Sequence, residues 1–202
     1  MKVNYKRTLS LCFLKVTMPK KDTDFDDKKE TTKDFKEMIG IMEQLFASFK
    51  SMYSHKIRKK ITGQDLISFE YLVYENEIHF FVIVPKHYKN LVEKQINGFY
   101  PDAIVEESLE PNIFAGKKYY DGCYMYAKKH FAYPIKSYQK LESDPINAIT
   151  NAFSKLEEDE AAALQILVRP IDDHWQHRSA KISSKIMSGK EKFFLLNPLR
   201  IL

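Results

Sequence analysis

The chain is organised around residues 66–107, in which two apolar runs flank a three-residue polar break, Glu75-Asn76-Glu77. The runs cover residues 66–74 and 78–85, and both are rich in the β-branched and aromatic residues that favour strands. A short polar break between two such runs predicts a β-hairpin. The first run alternates in a way typical of a half-buried strand, whereas the second is apolar on both faces and predicts a central strand.

A helix and further strands are predicted on both sides of this hairpin. Pro85 ends the second run. Apolar residues then recur at helical spacing from Tyr88 to Phe99 and predict a helix, and Gly98 lies close to its expected end. A short strand is predicted over residues 103–105. Upstream, residues 8–18 predict a strand that Pro19 closes, and residues 20–30 predict a solvated loop because they are charged and nearly devoid of apolar residues. Residues 31–53 predict the clearest helix, because their apolar residues recur every three or four positions.

The order of these elements, β-α-β-β-α-β, is that of a ferredoxin-like unit. After a linker over residues 109–118, which holds Pro111 and Gly116, part of the order recurs. Its predicted elements are a Tyr-rich strand over 119–129, a helix from Asp144-Pro145, a buried strand over 161–168 and a helix over 172–188. We therefore expect an α+β chain, with a ferredoxin-like βαββαβ unit over 1–108 and a second, partial ferredoxin-like unit over 119–202. The apolar residues 193–202 are either the missing strand of this second unit or part of a segment that continues in a longer protein.

The overall charge permits an anionic partner without requiring one. There are 32 Lys and Arg against 27 Asp and Glu, a net charge of +5. No apolar run approaches the roughly 18 residues that span a bilayer, and Lys15 interrupts the only stretch that resembles a signal peptide. Cys12 and Cys123 lie in strand-like runs and are expected to be buried free thiols in a reducing compartment. We expect a cytoplasmic location, which includes the inner face of the cell membrane.

The densest basic cluster lies in residues 50–63, directly after the long predicted helix. Its candidate phosphate-contact patch consists of Lys56, Arg58, Lys59 and Lys60. Two interpretations remain open. The cations are either a solvated loop that suits the negative end of the helix dipole, or a patch that contacts nucleic-acid phosphates.

The sequence carries no recognisable catalytic, cofactor or metal motif. The trace closest to a phosphate-binding loop, Ser188-Gly189-Lys190-Glu191, lacks the upstream glycine and the Ser or Thr after the lysine. His174 and His177 have a spacing that can hold a metal, but no third ligand accompanies them. Several tyrosines invite comparison with RNA-binding sheets, yet the sequence motif of those sheets is missing. We therefore expect no catalytic residue, no cofactor and no metal.

Several motifs resemble one family. They are V-P-K-H at residues 84–87, Y-P-D-A at 100–103, D-P-I-N-A-I-T-N-A-F-S-K-L-E at 144–157 and Q-I-L-V-R-P-I-D-D-H-W at 165–175. Together they resemble the region that precedes the motor domain in conjugative type IV secretion ATPases and related bacterial DNA-transfer ATPases. The resemblance covers about residues 9–175. In that family the nucleotide-binding motifs lie downstream, and none is present here, so the resemblance does not extend to hydrolysis.

The resemblance implies a non-catalytic docking or assembly domain. Its expected partners are other copies of itself or proteins of the secretion channel, at the membrane periphery, with weak and non-specific DNA contact as a further option. The alternative is a stand-alone nucleic-acid-binding module of ferredoxin-like fold that uses the basic patch and the tyrosines. A nucleic-acid module should lose affinity steeply with salt, whereas a docking domain should bind protein partners.

Overall fold

The computed structural model describes residues 10–19, 32–127, 146–189 and 199–201. The predicted loop over residues 20–30 and the predicted helix start at Asp144-Pro145 lie outside them. The chain divides into two compact units, the first formed by residues 1–115 and 143–171, the second by residues 116–142 and 172–202. The described residues confirm the mixed α+β class, with a five-stranded antiparallel sheet as the main feature.

The elements follow the chain in the predicted order, with one additional short helix at Ile57–Thr62 that the sequence pattern does not predict. The described strands are β1 (Leu11–Thr17), β2 (Ile67–Tyr74), β3 (Glu77–Pro85), β4 (Ile104–Ser108), β5 (Met125–Ala127), β6 (Ala162–Val168) and β7 (Leu199–Ile201). The described α-helices are α1 (Thr32–Ser48), α2 (Ile57–Thr62), α3 (Lys89–Phe99), α4 (Ile146–Phe153) and α5 (His174–Met187). Short 3₁₀ segments extend α1 through Phe49–Met52 and precede α3 at Lys86–Tyr88.

The five-stranded sheet has the strand order β4-β1-β3-β2-β6, and every neighbouring pair is antiparallel. The predicted hairpin is confirmed as β2 and β3, and β3 occupies the centre of the sheet. Glu75 and Asn76 form the two-residue turn, with φ values of 53° and 59°. Positive φ at both positions is the geometry that matches the twist of paired strands.

One face of the sheet carries the main core. Side chains from alternate positions of β1, β2 and β3, such as Leu14, Phe69 and Val82, pack with Phe49 after α1 and with Val92 on α3. The rings of Phe46 and Phe69 lie 4.8 Å apart between centroids. Tyr88 Oη donates a hydrogen bond to the Met52 carbonyl over 3.2 Å. The two longest helices of this unit therefore pack on the sheet through a single apolar cluster.

The opposite face of the sheet has fewer buried apolar residues, and it also carries the polar side chains of Ser68, Glu70 and Gln165. Leu72, Phe81 and Ile83 form a second buried cluster there. Because side chains alternate along β3, Phe81 and Ile83 cannot share the face of Val82. Ile83 therefore lies on the sheet face opposite to the one that α1 covers.

Strand β6 lies in a different place from the predicted one. Sequence patterning assigns it to the second unit as a buried strand, but it pairs with β2 at the edge of the first sheet, from Ile67 opposite Val168 to Val73 opposite Ala162. Ile166 and Leu167 are 45% and 59% exposed, so the prediction of a buried strand is wrong. An apolar run alone does not distinguish an edge strand from an internal one.

In the second unit, β5 and β7 pair antiparallel, with Tyr126 opposite Arg200. The predicted strand over residues 119–129 is shorter than expected, since the described residues before Met125 are not in a strand. Cys123 lies in this irregular segment and is exposed, so its predicted burial is wrong, while Cys12 on β1 is buried as predicted.

Candidate interaction surfaces

The predicted basic patch lies in a short helical loop with defined ends. The Gln64 side chain accepts a hydrogen bond from the Ser54 backbone N–H at 2.9 Å and donates one to the Ser54 carbonyl at 2.8 Å. These two bonds close the loop that contains α2. Gly63 ends the helix with a φ of 83°, a conformation that glycine adopts without steric cost. The loop is thus held at its base by one amide side chain.

The structure separates Lys59 from the other three cations of the patch. The Lys59 ammonium contacts the Asp65 carboxylate, whose side chain is only 8% exposed. The imidazole Nε2 of His87 lies 3.5 Å from the same carboxylate. Lys56, Arg58 and Lys60 are exposed to solvent. The surface available to an anionic partner therefore consists of three cations, and Lys59 contributes to holding the loop.

Two isoleucines on α2 are almost entirely exposed. Ile57 is 76% and Ile61 is 80% exposed, the highest values among the described isoleucines. Their four-residue spacing puts them on the same side of the helix. The prediction of a solvated or phosphate-contacting loop used only the cations, although this spacing is visible in the sequence.

The outer edge of β6 is the second candidate surface. Residues 162–168 contain no charged side chain and no proline, and no described strand pairs with the side of β6 that faces away from β2. Protein edge strands are usually protected by lysine, proline or a bulge, because free backbone groups invite pairing with another chain. With Ile166 and Leu167 exposed, this edge has both the backbone groups and the apolar side chains for strand addition.

A polar cluster joins β6 to the rest of the sheet. Glu70 is 9% exposed, and its Oε1 accepts hydrogen bonds from Ser68 Oγ at 2.7 Å and from Gln165 Nε2 at 2.5 Å. Gln165 lies directly opposite Glu70 in the β2–β6 register. A buried carboxylate needs such donors, since an unpaired one is costly to desolvate. The cluster therefore accounts for the one charged residue of β2.

His79 lies on β3 and is only 8% exposed. Burial lowers its pKa, and the charge of Lys15 lowers that pKa further, although Glu77 and Glu75 act in the opposite direction.

The pKa of the Cys12 thiol is raised by burial and by Glu107. Glu107 in turn contacts Lys89, whose hydrogen bond holds the pKa of that carboxyl below its usual range. A thiol with a raised pKa is a poor nucleophile at neutral pH.

Within the part of the chain that the structure describes, no group of three or more His, Cys, Asp or Glu residues is arranged to hold a metal ion. His174 is exposed on α5, with its Nε2 4.0 Å from Asp172. Among the described helices, none combines the length and the apolar character needed to cross a membrane.

Comparison with known families identifies the chain. A family model described as a domain of unknown function, DUF8128, matches residues 30–192, which is most of the sequence. The chain belongs to the DUF8128 family. No curated protein and no solved structure matches it.

In this DUF8128 chain, the matched residues include α2, the whole of β2 and β3, and the edge strand β6. Both candidate surfaces therefore belong to the family domain. The sequence signals for them are the pair Ile57 and Ile61 within a basic run, and the absence of charge between Ala162 and Val168.

Proposed function

We propose that this chain is a non-catalytic assembly domain that associates with other copies of itself through the outer edge of β6. The observation that carries the proposal is the uncharged edge strand with Ile166 and Leu167 exposed. Two such edges can pair antiparallel about a two-fold axis, which is the commonest symmetry of protein dimers. Pairing would satisfy the backbone groups that no described strand contacts, and it would place a second strand beside both side chains.

The strand order supports a finer statement of the fold. The order β4-β1-β3-β2, with α1 between β1 and β2 and α3 between β3 and β4, is consistent with a ferredoxin-like unit that β6 extends at one edge. The resemblance to the region before the motor in type IV secretion ATPases implies what such a unit would do. We accordingly place the domain in the cytoplasm, where it would hold motor subunits together or attach them to a secretion channel.

The test is sedimentation velocity over a range of protein concentrations. We expect wild-type protein to form a larger species as concentration rises, and Leu167→Lys to remain monomeric because it places a charge on the edge. Leu109→Lys is the matched control, since Leu109 is 90% exposed and lies outside the sheet. A wild-type protein that stays monomeric up to its solubility limit would contradict the proposal.

A nucleic-acid-binding module is the second candidate function. The exposed Lys56, Arg58 and Lys60 favour it, because lysine and arginine are the residues that commonly contact nucleic-acid phosphates. Three cations support only weak binding. Lys59, the fourth member of the predicted patch, already contacts Asp65.

A further inference from the structure

Helix α2 points an apolar stripe away from the rest of its unit. With about 100° between successive helical residues, Ile57 and Ile61 lie roughly 40° apart, and Lys59 lies on the opposite side. Lys59 contacts the nearly buried Asp65, so its side of the helix faces the protein. The side that carries the isoleucines consequently faces outward, as their exposed fractions of 76% and 80% require.

Cations border this stripe on both sides. Arg58 and Lys60 each lie about 60° around the helix from the nearer isoleucine, in opposite directions. Lys56 immediately precedes the helix, and all three cations are exposed. Long basic side chains can keep their charge at a polar boundary while their stems cover apolar surface. The arrangement is an apolar centre between positive flanks.

We propose that α2, together with Lys56, binds the surface of an anionic membrane. Ile57 and Ile61 would enter the boundary between headgroups and acyl chains, and the three cations would contact lipid phosphates. Charge complementarity selects an anionic surface. A nucleic-acid backbone would satisfy the cations and leave both isoleucines in water, which is why the stripe favours a lipid surface over DNA.

The loop is prepared for this contact before it binds. Its ends are held by the two hydrogen bonds between Gln64 and Ser54, and its inner side is held by the Lys59–Asp65 contact. A partner therefore does not have to order the segment, and little affinity is lost to conformational entropy. We expect a partition constant on the order of 10⁴ M⁻¹ per chain, comparable with a single myristoyl group.

The proposal concerns where the proposed assembly domain is held, and it rests on residues distant in sequence from β6. Association of several chains would strengthen membrane binding, because linked sites bind with an effective concentration advantage. Leu167→Lys should therefore bind vesicles more weakly than wild type but still measurably. This variant separates a failure of membrane binding from a failure of assembly.

The test is co-sedimentation of the full chain with large vesicles of phosphatidylcholine, either alone or with phosphatidylglycerol at about a third of the lipid. At about 1 mM accessible lipid we expect most of the protein to bind the anionic vesicles and little to bind the neutral ones. Ile57→Ser with Ile61→Ser should weaken binding by at least tenfold while leaving the charge unchanged. Lys56→Ala, Arg58→Ala and Lys60→Ala together should weaken it by about fivefold per residue.

The controls match each change in kind. Lys155→Ala, Arg178→Ala and Lys181→Ala remove the same charge at exposed positions elsewhere, and Ile78→Ser with Ile104→Ser removes two isoleucines that are each 51% exposed. Both should bind nearly as wild type. Absence of binding to anionic vesicles would overturn the proposal. The proposal would also be overturned if the isoleucine variant bound as wild type while the charge variant failed to bind. Binding would then be purely electrostatic, and any polyanion could replace the membrane.

Discussion

Gln165 on β6 donates a 2.5 Å hydrogen bond to the buried carboxylate of Glu70 on β2, across 95 positions of sequence. The two residues are direct partners in the antiparallel register. A shift of one residue would turn Gln165 to the other face of the sheet and remove this bond. The pair therefore favours one alignment of β6 with the hairpin.

Gln165→Leu is expected to lower the free energy of unfolding by about 1–3 kcal/mol, because it leaves the buried Glu70 carboxylate with one donor fewer. Urea denaturation measures the change. The double variant Glu70→Leu with Gln165→Leu should recover much of the loss, since removing both partners removes the unpaired charge. Gln176→Leu, at an exposed position of α5, should have little effect. Equal losses in the single and double variants would contradict the assigned contact.

Phe69→Ala is expected to cost about 3–5 kcal/mol of stability, as for other large aromatic residues in a core. Phe69 is 3% exposed, and its ring lies near those of Phe46 and Phe49, at 4.8 and 5.8 Å between centroids. Phe114→Ala is the control, because Phe114 is 60% exposed and should change stability by no more than about 0.5 kcal/mol. A loss below about 1 kcal/mol for Phe69→Ala would contradict the packing of α1 on β2.

His79 predicts how stability depends on pH. Its pKa in the folded state is lowered below 6.5 by burial, so the unfolded chain binds the proton first as the pH falls. The stability that comes from neutral His79 is therefore present above pH 6.5 and is lost as the pH falls through 6.5 toward the folded-state pKa. Urea denaturation at pH about 7.5 and about 5.5 should show this loss in wild type and less of it in His79→Gln.

The control for the pH experiment is His174→Gln, since the His174 side chain is 85% exposed. That variant should keep the wild-type difference in stability between the two pH values. If His79→Gln also keeps it, then another group causes the dependence.

DNA binding by the chain alone is expected to be weak and only moderately dependent on salt. Three phosphate contacts from Lys56, Arg58 and Lys60 give a slope of about −2.7 in log–log form, or roughly 40-fold between 50 and 200 mM salt. Fluorescence anisotropy with labelled single- and double-stranded DNA measures it, with the triple Ala variant beside wild type. Tight, salt-steep binding that the variant abolishes would favour the nucleic-acid module over the assembly domain.

Local elements of the fold can be predicted from the sequence, and long-range pairings cannot. The hairpin and its turn follow from neighbouring residues, since Glu75 and Asn76 interrupt two strand-forming runs. The position of β6 is set by its pairing with β2, which joins residues as far apart in sequence as Glu70 and Gln165 and which no local pattern reveals. Because the pairing is not visible in the sequence, the apolar run over residues 161–168 is predicted to be buried, although Leu167 is 59% exposed.

The candidate surfaces were only partly predictable. The cations of α2 stand out by composition, but which of them is free for a partner depends on Asp65, whose contact with Lys59 requires the folded loop. The exposure of Ile57 and Ile61 contradicts the usual expectation that isoleucines are buried. The membrane contact proposed for them depends on the orientation of the helix, which the sequence alone does not give.

The position of β6 also has a consequence for how the chain folds as it is synthesised. Strands β1 to β4 are complete by Ser108, yet β2 acquires its second neighbour only when residues 162–168 have been made. Until then the backbone of β2 has an unpaired edge with a single charged side chain, Glu70. Pairing across such a long stretch is slow, so we expect a transient, aggregation-prone intermediate during translation. Glu70, with its carboxylate still in water at that stage, would protect this edge until Gln165 arrives.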